Sequence, residues 1–198
     1  DGGFREMLVC DESQAIPAEM PSERAAFAEP LSVCLHAAHQ AGDLLGARVL
    51  VTGAGPIGAL LVMVARHAGA AEIVATDLAE SPLVVSRRIG ADTALNIKDH
   101  PDALAPYAAG KGRFDVAFEA SGSGAALAGA LAVVRPRGTI VQIGNPVGNT
   151  SMTLSTLLSK EITLRGSFRF HGEFAQAVSV LASGRFDVSP LLTEVVPL

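Results

Sequence analysis

Arg48-Val49-Leu50-Val51-Thr52-Gly53-Ala54-Gly55-Pro56-Ile57-Gly58 decides the fold: a short apolar run, three glycines at G-x-G-x-x-G spacing, then an apolar helical pattern from Ala59 to Ala68. The pattern predicts a strand turning tightly into a helix. In such a turn the first glycine permits the bend, the second lets backbone approach a pyrophosphate, and the third lets the helix pack on the strand. The free N–H groups and positive dipole end of the new helix then face the anion. In a chain with 20 glycines the spacing alone also suits an ordinary glycine-rich turn, so the surroundings must decide.

Outward from the turn, strand and helix signals alternate. Strands are expected at 49–52, 72–77, 93–96, 114–120, 139–143 and 162–168; helices are expected from Pro56, over 81–89, around 102–109 and over 125–134. The alternation specifies a parallel sheet with helices on both faces, a doubly wound α/β fold of Rossmann type. Its strands are near-continuous apolar runs, as burial on both faces requires. Asp77 closes the second strand about 20 residues after the turn, where such a unit places an acid to accept hydrogen bonds from ribose hydroxyls. The alternative is an exposed strand-end or helix-capping acid. A carboxylate there repels a 2′-phosphate and Leu78 supplies no basic replacement, so NAD is expected rather than NADP. Later strands end in Glu119-Ala120-Ser121-Gly122 and Ile143-Gly144-Asn145-Pro146. Ligands in open α/β sheets sit outside such carboxyl ends, which makes Ser121 and Gly144 cofactor candidates, plain turn chemistry being the alternative for Ser121 and Asn145.

On the amino-terminal side, Phe4 to Pro17 alternate weakly and are expected as strand and loop of a neighbouring β domain. Ser22 is a candidate N-cap for a short helical turn, and Glu29-Pro30 opens a second helix that runs to Ala41 and stops at Gly42. On it Val33, His36, Ala37 and Gln40 share one mixed face, expected to line a cavity. Glu29 either caps that helix or serves a site. His36 and His39 lack a third partner in sequence and are expected as packing or solvent-facing residues rather than zinc ligands. Arg169, between Phe168 and Phe170, suits an anionic substrate group or an interior acid. The final Val195-Val196-Pro197-Leu198 is strand-like, and both chain ends are expected to be truncations.

The 198 residues are 49% hydrophobic and 18% charged, which excludes general disorder. The richest apolar windows, 59–65 and 124–134, fall far short of the roughly 20 residues of a membrane span. Net charge is −5 and the longest basic run is Arg87-Arg88, so neither nucleic acid nor membrane is an expected partner. Cys10 and Cys34 are too few for a disulfide framework, and a cytoplasmic location is expected.

Ala28-Glu29-Pro30-Leu31-Ser32-Val33, Ala41-Gly42-Asp43, Val49 to Gly58, Ala75-Thr76-Asp77, Ile89-Gly90-Ala91-Asp92, Phe118-Glu119-Ala120-Ser121-Gly122 and Leu164-Arg165-Gly166-Ser167-Phe168-Arg169 together resemble the zinc-dependent medium-chain dehydrogenases of the sorbitol dehydrogenase group. The resemblance implies an enzyme passing hydride from a secondary alcohol of a sugar acid or polyol to NAD, with zinc, as a homo-oligomer. It implies Glu29 as a metal-side catalytic carboxylate, Arg169 at the catalytic, substrate end of the cleft, and Val33 and Phe168 in the cofactor site beside Gly53, Gly55, Pro56, Ile57, Gly58, Asp77, Ser121 and Gly144. The family's other zinc ligands, a cysteine and a His-Glu pair, are expected to precede this chain. Where the group often carries a basic residue after the ribose-binding acid, this chain has Pro82. The implied domains are 1–28, a partial segment of a β-rich GroES-like catalytic domain with a linker; 29–170, the NAD-binding Rossmann domain with its leading helix; and 171–198, a helix returning toward the catalytic domain. Other readings are a polyol or threonine dehydrogenase of the same group, or a dinucleotide-binding module without catalysis.

Overall fold

The computed structural model describes residues 6–196. Among them a six-stranded, all-parallel sheet forms from β1 (Arg48–Thr52), β2 (Glu72–Asp77), β3 (Thr93–Asn96), β4 (Phe114–Glu119), β5 (Val134–Gln142) and β6 (Thr163–Gly166), in the order β3-β2-β1-β4-β5-β6. The order reverses between β1 and β4. That reversal opens a crevice beyond the strand ends, at the glycine turn.

Each strand sends alternate residues to opposite faces, and the apolar runs therefore feed two cores. Val49, Val51, Ile73, Val116, Phe118 and Val141 pack with Leu31 and Leu35 of α2 (Ala28–Ala41), Leu60 and Leu61 of α3 (Pro56–His67) and Leu181 of α7 (Glu173–Ala182). On the other face Leu50, Val74, Phe114, Ala117 and Ile140 meet Leu127, Ala130 and Leu131 of α5 (Gly124–Val133). The remaining helices are α1 (Ser22–Ala25), α4 (Glu80–Arg88) and α6 (Leu154–Lys160). Strand and helix positions follow the alternation closely, because burial on both faces leaves a continuous apolar run no other stable home.

Several expectations change. From Glu6 to Pro17 the chain forms a 3-10 turn at Glu12–Gln14 and no strand, all of it exposed; Phe4 lies outside the described residues, as do Pro197 and Leu198. Weak alternation without a neighbouring strand leaves the ladder unpaired. Ser22 lies inside α1 with its hydroxyl on the Glu23 carboxylate, and Pro21 takes the cap position. The helix expected near 102–109 is a 3-10 segment, Ala105–Lys111, kinked at Ala109 and Gly110, where a positive φ of 64° breaks the ladder. β6 is shorter than expected, and α6 was not visible in the periodicity; its last turn ends on Glu161 in the left-handed region. Val195 and Val196 join no strand.

Candidate functional site

The turn after β1 is shaped by contacts only glycine permits. Gly53 has φ of +85°, and a Cβ on it would lie 2.8 Å from the Ser121 amide nitrogen. A Cβ on Gly58 would fall 1.7 Å from the Gly53 carbonyl oxygen, which is the close helix-on-strand packing expected of the third glycine. Gly55 differs from both: its φ is −62°, and a Cβ there meets nothing within 4 Å. It therefore faces open space above the turn. Gly55 is also the N-cap of α3, with Pro56 in the first turn and no side-chain cap, so the first-turn amides are left for a ligand or solvent.

Asp77 joins this turn. Its Oδ2 accepts the Ala54 amide at 2.7 Å and its Oδ1 accepts the Ala79 amide at 3.0 Å. The acid thus does part of the strand-end work that was its alternative reading, and it is tied to the glycine turn as well. Each carboxylate oxygen keeps a further lone pair for a hydroxyl.

The ends of β4 and β5 are organised by a residue sequence reasoning passed over. Glu119 is fully buried, and its carboxyl group accepts from the Ser121 amide at 2.8 Å, the Gly122 amide at 3.1 Å, Thr52 Oγ1 at 3.3 Å, the Ser121 hydroxyl and Gln142 Nε2. A buried carboxyl requires such partners. They tie the ends of β1, β4 and β5 together. A Cβ on Gly144 would lie 2.1 Å from the Gly122 amide nitrogen and 2.9 Å from Glu119 Oε2, so that glycine too closes the knot. Ser121 turns its hydroxyl inward onto Glu119. The available signal was an acid closing the apolar run Val116-Ala117-Phe118.

On α2 the first turn carries Glu29, which is exposed, and among the described residues its carboxylate takes no hydrogen bond or ion pair. It is not the N-cap; Phe27 is. Further along, Cys34 Sγ reaches the Ile57 carbonyl at 3.4 Å and so brings Val33's stretch of α2 against the first turn of α3. Burial, and then the Glu29 charge, push the Cys34 thiol up, so it stays unreactive. On the mixed face expected to line a cavity, His36 packs on α7 instead: it is buried with Nδ1 3.0 Å from Glu173 Oε1, and neighbouring His39 Nδ1 lies 3.2 Å from the same oxygen. Past β6, Ser167 is buried while Phe168 and Arg169 are exposed, and the Arg169 guanidinium carbon sits 5.3 Å from the Phe168 ring centroid. Among the described residues no interior acid pairs with Arg169. Gly53, Gly58, Asp77, Ser121 and Gly144 are therefore brought into one connected patch with Gly55, Pro56 and Ile57; among the described residues no side-chain hydrogen bond or ion pair joins Glu29 or Arg169 to it. No group of three or more His, Cys, Asp or Glu side chains among the described residues is arranged to hold a metal ion, so these residues alone do not fit a zinc centre.

Residues 56–183 match the profile of a family described as zinc-binding dehydrogenase. Over its whole length the chain is 44% identical to the L-idonate 5-dehydrogenase (NAD(P)(+)) of Escherichia coli K12 and covers 57% of it. It is 37% identical to the sorbitol dehydrogenase of Pongo abelii, with 92% of this chain and 52% of that protein aligned. The crystal structure of L-idonate 5-dehydrogenase from Escherichia coli superposes with a TM-score of 0.91, covering 96% of this chain and 55% of that one. The chain thus spans little more than half the length of these relatives.

Proposed function

Because this chain belongs to the zinc-binding dehydrogenase family, we propose that it is the NAD-binding part of an oxidoreductase that takes hydride from a secondary alcohol of a sugar acid or polyol, with L-idonate as the substrate. The observation that carries the cofactor reading is the turn at Gly53 to Gly58: an uncapped helix start, open space over Gly55 and the Asp77 carboxylate tied to Ala54. Bound NAD supplies the hydride acceptor. The chain's own share is to hold the diphosphate on the α3 amides, to accept ribose hydroxyls on Asp77, and to keep the strand ends rigid through Glu119. Asp77 favours NAD over NADP by charge repulsion, and Leu78 offers no cation in exchange. Ser121, Gly144, Val33 and Phe168 are proposed to line the cofactor, with Arg169 toward the substrate. The 44% identity to an L-idonate 5-dehydrogenase supports the sugar-acid reading.

Glu29 is proposed as a metal-side carboxylate whose companion ligands lie outside the described residues; its exposure, with no carboxylate partner among the described residues, supports that reading. Substituting Glu29 with Gln is expected to lower the zinc content of the full-length protein, and unchanged zinc would remove Glu29 from the site. Residues 1–28 and 171–198 are proposed to flank the nucleotide-binding domain of 29–170 and to continue into a GroES-like catalytic domain. A homo-oligomer is proposed because β6 is an exposed sheet edge that carries Leu164 in the open. The free thiols of Cys10 and Cys34 support a reducing, cytoplasmic compartment; no helix among the described residues is long and apolar enough to cross a membrane.

The test is calorimetric titration of this chain with NAD and NADP. NAD binding is expected, and Asp77→Ala should weaken it by about tenfold, the worth of a charge-assisted hydrogen bond. Failure of the chain to take up any dinucleotide would overturn the reading. A second reading, a dinucleotide-binding module without turnover, is favoured for the isolated chain by its lack of a metal-holding group among the described residues; zinc-dependent oxidation of L-idonate by this chain alone would exclude it.

A further inference from the structure

Glu173, in the first turn of α7, has no part in the cofactor site, yet three donors converge on its carboxylate. Oε1 lies 3.0 Å from His36 Nδ1 and 3.2 Å from His39 Nδ1, and Oε2 accepts the His171 amide at 2.8 Å. An ionised carboxylate only accepts, so both imidazoles present Nδ1–H to it. The Glu173 side chain is 12% exposed and that of His36 10%, and the His36 ring meets the His171 ring edge-on at 5.0 Å between centroids. Burial opposes ionisation of Glu173, but the His171 amide and the two imidazoles outweigh it and lower the carboxyl to about 2.

The cluster fastens a short loop at one end. At the other end the Ser167 amide donates to the Gln142 carbonyl at 2.9 Å, which ties the loop to β5. Between these two fastenings Arg169 adopts φ of +55°, a left-handed conformation that a side-chain-bearing residue holds only where its surroundings impose it. Phe170 packs on Phe174 at 5.7 Å between ring centroids and fixes the same segment to α7. The loop that presents Arg169 is therefore braced, through Glu173, against α2, the helix that also carries Glu29 and Val33.

We propose that Glu173, gripped by His36 and His39, is a positioning residue for substrate specificity: it holds the Arg169 to Gly172 segment, Phe168 being kept by the Ser167 fastening to β5, so that Arg169 presents its guanidinium to a carboxylate on the substrate. The inference rests on the reading of Arg169 as a substrate-side residue of a sugar-acid dehydrogenase. Its occupant is an anionic group on a polyhydroxy chain, and a neutral polyol of the same length makes no use of the brace.

Steady-state kinetics of the full-length protein with an aldonate and with the neutral alditol of equal carbon number test it. Glu173→Gln puts a donor where three donors already point; it is expected to raise KM for the aldonate by about tenfold, the loss of roughly one charge-assisted hydrogen bond, with kcat and the alditol KM within about twofold of the starting protein. Glu173→Asp, which keeps the charge, is expected to recover part of the aldonate KM. His39→Ala, at a half-exposed position, removes one donor without opening the core; it is expected to raise the aldonate KM by about threefold in the same selective way, and it decides the matter if Glu173→Gln does not fold. Equal changes for both substrates, or none for either, overturn the proposal. Arg169→Ala separates the two levels of the reading. If it is selective against the aldonate and the Glu173 and His39 variants are not, only the positioning role falls; if it is not selective, the substrate-side reading of Arg169 falls and the positioning role falls with it.

Discussion

Gly55 and Gly58 stand three residues apart and respond differently to an added methyl group. At Gly58 the methyl would overlap the Gly53 carbonyl, 1.7 Å away. Gly58→Ala is therefore expected to destabilise the domain by about 1–3 kcal/mol, an overpacking penalty, seen as a lower urea midpoint with or without nucleotide. At Gly55 the φ of −62° suits alanine and the space is empty. Gly55→Ala is expected to leave the urea midpoint within about 0.5 kcal/mol of the parent, as for an uncrowded surface change, while weakening NAD by about tenfold or more through loss of a diphosphate contact. If the two variants lose affinity and stability in parallel, the assignment of the open space to a diphosphate is wrong. The glycine spacing was readable from sequence. Which glycine carries packing and which faces the ligand was not, because that depends on what lies opposite each Cβ.

At the scale of elements, carboxylates held by several donors join pieces far apart in the chain. Glu173 joins α7 to α2, Asp92 takes the Ile73 amide at 2.7 Å and Arg66 at 2.6 Å, and Asp115 takes the Arg48 amide at 2.7 Å and Arg135 at 2.6 Å. In each, burial opposes ionisation and the backbone amide and cationic or imidazole donors overcome it, so all three carboxyls sit below their ordinary values. A carboxyl lowered in the folded state contributes stability above its unfolded value and loses it as pH falls through the folded one. For Glu173 that window runs from 4.5 down to about 2. Urea midpoints should therefore drop between pH 5 and pH 3, and Glu173→Gln should show a smaller drop than the parent over that range. An identical slope in parent and variant would show that the α2–α7 junction does not depend on the charge. Lys160 makes a junction of another kind: its Nζ donates to the carbonyls of Leu131, Ala132 and Val134 at 2.7–3.0 Å and closes the end of α5. Lys160→Met is expected to cost about 1–3 kcal/mol, the penalty for carbonyls left without donors, with NAD affinity unchanged by calorimetry.

At the scale of the whole molecule the sheet has two unlike edges. β3 is flanked by α4, whereas every residue of β6 is exposed. An open edge that carries an exposed Leu164 invites a further strand. Placing Lys at Leu164 is expected to shift the full-length protein toward monomer in sedimentation velocity with little change in the fold, as charged edge residues oppose pairing. A monomer before and after the substitution would end the homo-oligomer proposal.

The succession of strands and helices along the chain, the glycine turn and the place of Asp77 at a strand end were legible from the residues themselves. Each rests on neighbours in sequence: apolar continuity dictates a strand buried on both faces, and a bend of that tightness demands glycine wherever it occurs. The 3-10 segment at Ala105–Lys111 and the helix α6 were not legible, because short elements draw their stability from packing rather than from their own periodicity. The polar junctions were beyond reach for a stronger reason. Glu119 meets Thr52 across 67 residues and Glu173 meets His36 across 137, and in sequence each reads as one acid at the end of an apolar run or the start of a helix. Only the folded chain, by bringing donors from distant elements around a carboxylate with little access to water, decides which acids tie elements together and which stay exposed.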